Sequence, residues 1–375
     1  MKKALLVTTV SGFVPQFERN NVKLLQNLGY EIHYASNYHT PSYGNDNSRL
    51  DDMGIIRHQI DFVRSPYKLL DNWKAYCQLK DVMKQDKYDL VHCHTPMGGV
   101  LARLAAHKTH TAPVIYTAHG FHFYKGAPKK NWLFYYPVEK FLSRYTYQQI
   151  CLNKEDFEIA RKKFKAEYVD YIPGVGIDLE KFQNLAVDRE SKIKELGLPK
   201  NKKILLSVGE LIKRKNHETI IRAIAELQDP SLIYVICGHG ELEEYLKELC
   251  KRLKVDDQIY FLGYRTDILE IYPIADLFIF PSWQEGLPVA LLEAMASGLP
   301  AICSDIRGNR DLIQESSCLM KENTPEEYQY AIKKLLKSEE TMKKLGKINK
   351  AAANDFSQDK VKKIMLNIYK RADGK

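Results

Sequence analysis

Cysteine pairs and long apolar runs are what this sequence most clearly lacks. Its seven cysteines form an odd set without a Cys-x-x-Cys pair, which excludes a regular disulfide framework and a zinc knuckle. No eighteen consecutive apolar residues occur, so no membrane-spanning helix is predicted. The opening MKKALLVTTV has a short apolar run and no Ala-x-Ala cleavage site, and we interpret it as a buried first strand rather than a secretory signal. These absences favour a protein of the reducing cytoplasm.

Several signatures of bound ligands are missing as well. The chain has no helix-turn-helix, zinc-finger or RNP-type motif, so binding of nucleic acid by sequence is not expected. Gly238-His239-Gly240 follows an apolar run without the third glycine of a dinucleotide fingerprint. No Asp-x-Asp triplet occurs, and His92 and His94, which would share one face of a strand, have no evident third metal ligand. We therefore expect neither a nicotinamide cofactor nor a metal.

The composition is otherwise that of a globular protein with one basic half. The chain has 375 residues, 45% of them hydrophobic and 27% charged, which is enough for two or three domains. Of the net charge of +9, residues 1–184 hold 25 basic and 18 acidic side chains, and the rest holds 31 and 29. This excess suits an anionic ligand or an anionic membrane surface, although a solvated surface has the same composition.

Short apolar runs alternate with amphipathic helical stretches, which is the pattern of parallel sheets covered on both faces by helices. The alternation breaks once, in the polar stretch of residues 183–202, where we place a domain boundary after residue 183. We predict an α/β protein with two doubly wound domains whose sheets face a central cleft. The predicted strands are KALLVTT, YEIHYAS, GIIRHQI, YDLVHCH, PVIYTAH, QQICLN and VDYIP, then KILLSVG, LIYVICG, QIYFLG, ADLFIFP and LPAICS.

Candidate binding residues follow the predicted strands, because ligands bind at the carboxyl edge of a parallel sheet. Gly12, after the first strand, permits a tight turn before a helix whose free N–H groups suit a phosphate. His119 follows the fifth strand and is either a polar group offered to a substrate or a packed loop histidine. In the second half, Lys213, Arg214 and Lys215 precede a helix, which suits a diphosphate or a solvated charge run.

The stretch QEGLPVALLEAMASG places two glutamates eight positions apart around the start of an apolar helix. Glu285 lies in the turn, and Glu293 lies more than one helical turn further along. A carboxylate among apolar residues needs hydrogen-bond donors, which ribose hydroxyls or a structural salt bridge would provide. The helix start would offer the backbone amides of Gly286, Leu287 and Val289.

Taken together, Gly12, His119, Lys215 and EGLPVALLE, followed by AMASGLP and SDIRGNRDLI, resemble the retaining glycosyltransferases of family 4, which have the GT-B fold. The stretches VHCHTPMGGVLARLAA and YTAHGFHFYKGAPKKNWLFYYPVEKFLS are similar to bacterial transferases that assemble exopolysaccharide or capsule repeat units on polyprenyl diphosphate. The resemblance implies a Rossmann-like acceptor domain in residues 1–183, a Rossmann-like nucleotide-sugar domain in 184–355, and a final helix in 356–375 that crosses back to the first domain.

The resemblance also implies residue roles. Glu293 would hold the ribose hydroxyls, and the amides around Leu287 and Val289 would line the sugar-phosphate site. Lys215 would bind the diphosphate of a UDP-sugar, Glu285 would contact the donor sugar, and His119 would contact that sugar near the reacting carbon. The family often has arginine five residues before the lysine, but this chain has Glu210, so Arg214 or Lys213 would supply the missing charge.

The implied activity is retaining, metal-independent transfer of a hexose or N-acetylhexosamine, by a front-face route in which Glu285 is a positioning group rather than a nucleophile. For the acceptor, we expect a saccharide on polyprenyl diphosphate, and docking of the protein on the inner face of the cell membrane. The stretch KGAPKKNWLFYYPVEKFLSRY mixes basic and aromatic residues as an anionic lipid interface requires, unless the aromatics are core. The expected contacts are Lys125, Lys129, Lys130 and Trp132.

Three alternatives remain open at this point. A sugar-nucleotide epimerase of the same fold would interconvert UDP-sugars without an acceptor. A partner subunit without catalytic activity would explain Glu210, although His119, Lys215 and both glutamates are present. A nicotinamide dehydrogenase is disfavoured by the missing glycine fingerprint.

Overall fold

In a computed structural model of the protein, residues 1–42, 47–111, 113–183 and 185–374 are described. They form two compact units. Unit 1 consists of Met1–Val175 together with the chain from Asp359 onward, and unit 2 is Gly176–Gln358. Each unit contains a parallel sheet with helices on its faces, as the alternating apolar runs predict.

Among the described residues, the sheet of unit 1 has seven parallel strands in the order β3-β2-β1-β4-β5-β6-β7. Every residue of β4 and β5 is buried, which requires cover on both faces. The strands are β1 (Lys2–Val7), β2 (Tyr30–Ser36), β3 (Ile55–Gln59), β4 (Leu90–His94), β5 (Val114–Ala118), β6 (Gln148–Cys151) and β7 (Tyr168–Tyr171). The helices between them are α1 (Arg19–Asn27), α2 (Leu69–Gln85), α3 (Pro96–Thr109), α4 (Lys129–Leu142) and α5 (Lys154–Lys163).

The sheet of unit 2 has six parallel strands among the described residues, in the order β10-β9-β8-β11-β12-β13. They are β8 (Lys203–Val208), β9 (Leu232–Cys237), β10 (Ile259–Gly263), β11 (Leu277–Phe280), β12 (Ala301–Ser304) and β13 (Leu319–Met320). The helices are α6 (Glu180–Gln183), α7 (Arg189–Glu195), α8 (His217–Leu227), α9 (Glu243–Leu253), α10 (Ile268–Ile271), α11 (Val289–Ala296), α12 (Asn309–Leu312), α13 (Pro325–Leu336) and α14 (Glu339–Ala353).

The last helix, α15 (Gln358–Asp373), packs on unit 1 although it follows unit 2 in sequence. Tyr369 OH lies 2.9 Å from His92 Nδ1 of β4, and Arg371 Nη2 donates to Asp170 Oδ2 of β7 at 2.8 Å. Lys2 Nζ of β1 pairs with Asp373 Oδ1 at 2.8 Å. Contacts with β1, β4 and β7 thus hold the end of the chain across one face of the first sheet.

All twelve predicted runs contain a strand, and the prediction of two doubly wound parallel sheets is confirmed. Only β13 was not predicted, because a strand of two residues leaves no apolar run to recognise. The first segment of unit 1 ends at Val175, eight residues before the domain boundary that the polar stretch predicts after residue 183. The segment after Val175 belongs to unit 2 because Ile177 N–H donates to Phe356 O (3.0 Å) and Gln358 N–H donates to Ile177 O (2.8 Å).

Each sheet has a topological switch point. It lies between two neighbouring strands from which the chain continues towards opposite edges of the sheet. In unit 1 it lies between β1 and β4, and in unit 2 between β8 and β11. Loops after such strands diverge and leave a crevice at the carboxyl edge, where ligands bind in doubly wound folds. Within the described part of the chain, no helix is both long and apolar enough to cross a bilayer.

Candidate functional site

Gly12 lies where the loop after β1 passes against residues 41 and 42. Its N–H donates to Pro41 O at 2.8 Å, and a Cβ atom here would lie only 2.1 Å from Ser42 O. Only glycine fits so close to a backbone carbonyl. Backbone packing therefore explains this residue, and its predicted phosphate contact stays a prediction.

His119 lies half-buried at the end of β5, in a cluster of polar groups at the carboxyl edge of unit 1. Its Nε2 lies 3.2 Å from Nδ1 of the fully buried His94, and its ring meets that of Phe13 edge-on at 4.9 Å. Glu18 Oε1 lies 3.6 Å from the same His94 nitrogen, and Asn21 Nδ2 donates to Glu18 Oε2 at 2.5 Å. Two segments that are distant from His119 in sequence, residues 13–21 and the end of β4, thus surround its ring.

Burial favours the uncharged forms of these groups. Burial lowers the pKa of His119 to about 4 and that of His94 well below its usual value. Burial also raises the pKa of Glu18 to about 8. His94 Nε2 is buried without a hydrogen-bond partner among the described residues, and an orphaned buried N–H is rarer than an orphaned acceptor. The network therefore assigns the His94 proton to Nδ1, which donates to His119 Nε2 and leaves the His119 proton on Nδ1.

Glu18, His94 and His119 are close enough to be considered as metal ligands, since one ligand atom of each lies within 4.8 Å of the others. Of the two strand histidines considered from the sequence, His92 and His94, only His94 belongs to this group. Histidines that bind a metal donate their other ring N–H to an acceptor, and His94 Nε2 has no such partner in the described part of the chain. We interpret the cluster as a hydrogen-bonded one.

Thr95 directly follows β4 and adopts φ +64° and ψ 150°, a conformation that is essentially restricted to glycine. Its hydroxyl donates to His94 O and accepts from Thr9 N–H at 3.3 Å. Strain of about 1–3 kcal/mol at a switch point is typical of functional sites. A cavity of about 280 Å³ opens beside it, lined by Thr9, Val10, Phe13, Arg64, Thr95, Pro96, Met97 and His122.

In unit 2, the loop after β8 and the loop after β11 meet at a cluster of charges. Arg214 Nη1 and Lys215 Nζ both bind Glu285 Oε1, at 2.7 and 2.8 Å. Arg214 also donates to Gln284 O (2.8 Å) and accepts from Trp283 N–H (2.8 Å), which ties the two loops together. One carboxylate facing two cations leaves an excess positive charge, as an anionic ligand requires.

Glu210 stands five residues before Lys215, where the resemblance leads us to expect an arginine. Glu210 and Lys213 are both exposed, and Arg214 is the cation that joins Lys215 at Glu285. Arg214, rather than Lys213, thus forms the second ion pair with Glu285, and its contact with a diphosphate stays a prediction.

Backbone contacts shape the turn that contains Glu285 and Gly286. Arg307 Nε donates to Glu285 O at 3.2 Å, and a Cβ atom on Gly308, which has φ +79°, would lie 2.2 Å from Gly286 O. On the other side, a Cβ atom on Gly238 would lie 2.0 Å from Gly209 O, and one on Gly240 would lie 2.4 Å from Leu211 O. The loops around this edge therefore lie backbone against backbone.

Gly286 and Leu287 precede α11, and Val289 is its first residue. The helix has no side-chain cap among the described residues, and its first N–H groups have no partner within the helix. Glu293 lies one turn further, half-buried, and accepts a hydrogen bond from Tyr272 OH at 2.9 Å, while burial raises its pKa. Its partner is a neutral hydroxyl rather than the cation of a salt bridge.

The structure therefore gathers the predicted site residues into two groups. Arg214, Lys215, Glu285 and Glu293 lie with the start of α11 in unit 2, whereas Gly12 and His119 lie in unit 1.

Lys125, Lys129 and Lys130 are exposed at and before the start of α4. Trp132 is partly packed, because its Nε1 donates to Tyr124 O at 3.2 Å and its ring contacts Phe123. The sequence analysis did not identify Glu18, Thr95 or Tyr272 as site residues. For His94, the alternating His-Cys-His pattern of β4 was the available signal, because alternate residues of a strand share one face.

Two family descriptions match this chain. Residues 188–352 match Glycosyl transferases group 1, and residues 2–153 match Glycosyl transferase 4-like. A relative from Bacillus subtilis (strain 168), EpsD, which is named as a glycosyltransferase without an assigned sugar, is 37% identical over 98% of this chain and 96% of its own. The chain thus belongs to the GT4-like glycosyltransferases.

Two further relatives have more specific names. An Escherichia coli protein named UDP-Gal:alpha-D-GlcNAc-diphosphoundecaprenol alpha-1,3-galactosyltransferase is 36% identical over 66% of this chain and 65% of its own. A Campylobacter jejuni protein named N,N'-diacetylbacillosaminyl-diphospho-undecaprenol alpha-1,3-N-acetylgalactosaminyltransferase is 27% identical over 61% of each chain. Among solved structures, HepE from Anabaena in complex with UDP-glucose superposes with a TM-score of 0.80 at 16% identity, over 99% of this chain and 100% of its own. That likeness shows the GT-B fold.

Proposed function

We propose that this glycosyltransferase moves a sugar from a UDP-sugar to a saccharide on polyprenyl diphosphate, with retention of configuration, in the synthesis of exopolysaccharide or capsule. The names of the Escherichia coli and Campylobacter jejuni relatives support a lipid-linked acceptor and an α-linked product. The transferred sugar in those names is galactose or N-acetylgalactosamine, which fits our expectation of a hexose or N-acetylhexosamine.

The observation that carries the proposal is the pairing of Arg214 and Lys215 on one oxygen of Glu285, beside the start of α11. A diphosphate would displace part of this pairing and gain both cations and the backbone amides of Gly286, Leu287 and Val289. Glu293, one helical turn further along, would accept hydrogen bonds from the ribose hydroxyls. The hydrogen bond from Tyr272 OH to Glu293 Oε2 would hold the carboxylate in position.

The chemistry follows from these charges. When the bond between the sugar carbon and the diphosphate breaks, negative charge grows on UDP, and Arg214 and Lys215 stabilise it without a metal. The proton of the acceptor hydroxyl passes to a leaving phosphate oxygen on the same face, and bond formation on that face retains the configuration. His119, whose pKa burial lowers to about 4, donates a hydrogen bond from its Nδ1–H to a sugar hydroxyl and keeps its proton.

In this mechanism Glu285 positions the sugar rather than attacking it, and before the donor binds both cations hold its Oε1. Isolation of a glycosyl ester on Glu285 by mass spectrometry would overturn this assignment. Loss of transfer upon addition of a chelator, restored by a divalent cation, would overturn the metal-independent part.

We further propose that the protein works on the cytoplasmic face of the cell membrane, as a peripheral protein. Lys125, Lys129 and Lys130 are exposed and would contact anionic headgroups. Trp132 would contact the bilayer with its exposed part, since its side chain is 36% exposed while its ring also contacts Phe123.

Thermal unfolding in the presence of UDP, GDP, ADP or NAD, on wild type and Glu293→Gln, tests the donor site. UDP at a hundred times its Kd is expected to stabilise the wild type by about 2.7 kcal/mol, and Glu293→Gln is expected to reduce this shift. Glu244→Gln, at an exposed position of α9, is the matched control and should respond as wild type. Stabilisation by another nucleotide alone would change the donor, and no stabilisation by any of them would favour a partner subunit. A product assay with UDP-sugars separates transfer from epimerisation.

A further inference from the structure

Helix α4 of unit 1 has an apolar outer face. Leu133, Phe134, Val138 and Phe141, named here the α4 outer face, are between 45% and 69% exposed. Phe134, Val138 and Phe141 follow each other at spacings of four and three, so they form one stripe along the helix. A stripe of this kind normally faces a core.

The inner side of α4 explains why the stripe points outward. Glu139 is buried there and pairs with the fully buried Arg103 of α3 at 2.8 Å, and Tyr116 OH donates to the other carboxylate oxygen at 3.2 Å. Turning α4 to bury the phenylalanines would leave Arg103 buried without its counter-ion, which is strongly unfavourable. The ion pair therefore fixes the rotation of α4 with its apolar side exposed.

A second apolar segment lies at the start of α2. Tyr67, Leu69, Leu70 and Trp73, named here the α2 entry segment, are between 64% and 86% exposed. The buried Asn72 anchors this turn, because its Nδ2 donates to Ser65 O at 3.0 Å. Four large apolar side chains within seven residues are thus held in solvent by an ordered turn.

The two surfaces belong to the same layer of the fold. Side chains of α2, α3 and α4 pack against one core cluster, and α3 contacts both of its neighbours. The crossovers from β3 to β4, β4 to β5 and β5 to β6 advance in one direction, so right-handed connections put all three helices on one face of the sheet. Both helices also begin at the carboxyl edge, where His119 and Thr95 lie.

Basic residues surround both apolar surfaces. Between Lys125 and Arg144, the buried Glu139 is the single acidic residue. Around the α2 entry segment, Asp71 is exposed, and Lys74 pairs with Asp61 at 2.8 Å. The exposed basic residues of the two surfaces are Arg64, Lys68, Lys74, Lys125, Lys129, Lys130, Lys140 and Arg144. Protein interfaces are depleted of lysine, whereas a lysine-rich rim around Trp, Phe and Leu is typical of helices that lie in an anionic bilayer surface.

We propose that the α2 entry segment and the α4 outer face insert together into the headgroup region of an anionic bilayer, with the α2 entry segment as a second anchor beside α4. This arrangement brings the edge with His119 and Thr95 to the level at which a lipid-linked diphosphate is presented. The purpose of the contact rests on the proposed function, but binding to a bilayer needs neither donor nor acceptor.

Flotation with vesicles of phosphatidylcholine, with and without phosphatidylglycerol, tests the proposal on the full chain. Wild type is expected to bind the anionic vesicles, and both L70S/W73S and F134S/F141S should lower the partition coefficient at least about tenfold. The matched control is Y264S/Y330S, which removes two comparably exposed aromatics of unit 2 and should bind as wild type. Unchanged thermal unfolding and an unchanged shift with UDP would show that the variants are folded.

Three outcomes would overturn the proposal. Binding that L70S/W73S leaves unchanged would remove the α2 entry segment from the surface. Equal binding to neutral vesicles would remove the anionic lipid. A wild-type dimer in solution that L70S/W73S converts to a monomer would make this face a contact between two copies of the chain.

A direct readout is quenching of Trp73 fluorescence by brominated lipid, after the other two tryptophans, Trp132 and Trp283, have been replaced by phenylalanine. Quenching is expected with anionic vesicles, and its absence would contradict insertion. Wild type that binds vesicles as expected but transfers no sugar to lipid-linked or water-soluble acceptors would refute the proposed function and leave the membrane surface standing.

Discussion

At the switch point of unit 1, burial favours the neutral forms of the clustered side chains, whereas at that of unit 2 two cations pair with Glu285. Burial shifts the pKa values of His94, His119 and Glu18 towards their uncharged forms. In unit 2, Arg214, Lys215 and Glu285 form ion pairs at the sheet edge. Neutral donors and acceptors suit sugar hydroxyls, and an excess of positive charge suits a diphosphate. The same topology thus carries two different sets of polar groups, which the residues after each strand determine.

The largest effect is expected from removing a cation in unit 2. Lys215→Ala takes away one of the two charges on Glu285 and should lower kcat/KM for sugar transfer by about 10²–10³-fold, since the charge stabilises the leaving diphosphate. Lys213→Ala is the matched control, because Lys213 is exposed two residues earlier in the same turn. Equal effects of the two variants would mean that the cluster acts only through its net charge.

A second experiment tests whether Glu18 is neutral. With a folded pKa of about 8 and an ordinary unfolded value near 4.5, native Glu18 binds more protons than the unfolded chain between these pH values, so its contribution to stability falls as the pH rises. Relative to wild type, Glu18→Gln should therefore gain stability by up to about 1.4 kcal/mol per pH unit from pH 4.5 to 8.

The measurement is urea unfolding of both proteins at pH 5, 6.5 and 8. Glu244→Gln, at an exposed carboxylate, is the control and should differ from wild type by the same amount at each pH. A constant difference for Glu18→Gln across the range would mean that unit 1 holds an ionised carboxylate, and the contrast between the units would weaken.

The smallest expected effect concerns the strained Thr95. Thr95→Gly and Thr95→Ala both lose the hydroxyl, but only glycine is relaxed at φ +64° and ψ 150°. The glycine variant should be more stable than the alanine variant by about 1 kcal/mol, measured by thermal unfolding. At Thr341, an exposed position of α14, the order should be reversed, because glycine destabilises a helix. The same order at both positions would contradict strain at Thr95.

The strands, the two sheets and the edges that hold the site residues could be predicted from the sequence, because apolar runs and turn residues are local signals. The pairing of Lys215 with Glu285 follows from two strand ends meeting at a switch point, although the choice of Arg214 over Lys213 depended on side-chain placement. Glu18 and Tyr272 could not be predicted as partners of His94 and Glu293, since nothing local marks a polar residue that becomes a contact only after folding. The exposure of the α4 outer face could not be predicted for the same reason. The rotation of α4 about its axis depends on the ion pair with Arg103, which lies in another helix.

The close backbone contacts of Gly238, Gly240 and Gly308 have a consequence for protein engineering. A side chain at any of these three positions would collide with a carbonyl group of a neighbouring loop, so a mutant library that includes them would consist mainly of misfolded clones. A library meant to alter donor preference should leave them fixed and vary the solvent-accessible side chains of the adjoining loops, such as His239, Trp283 and Gln284.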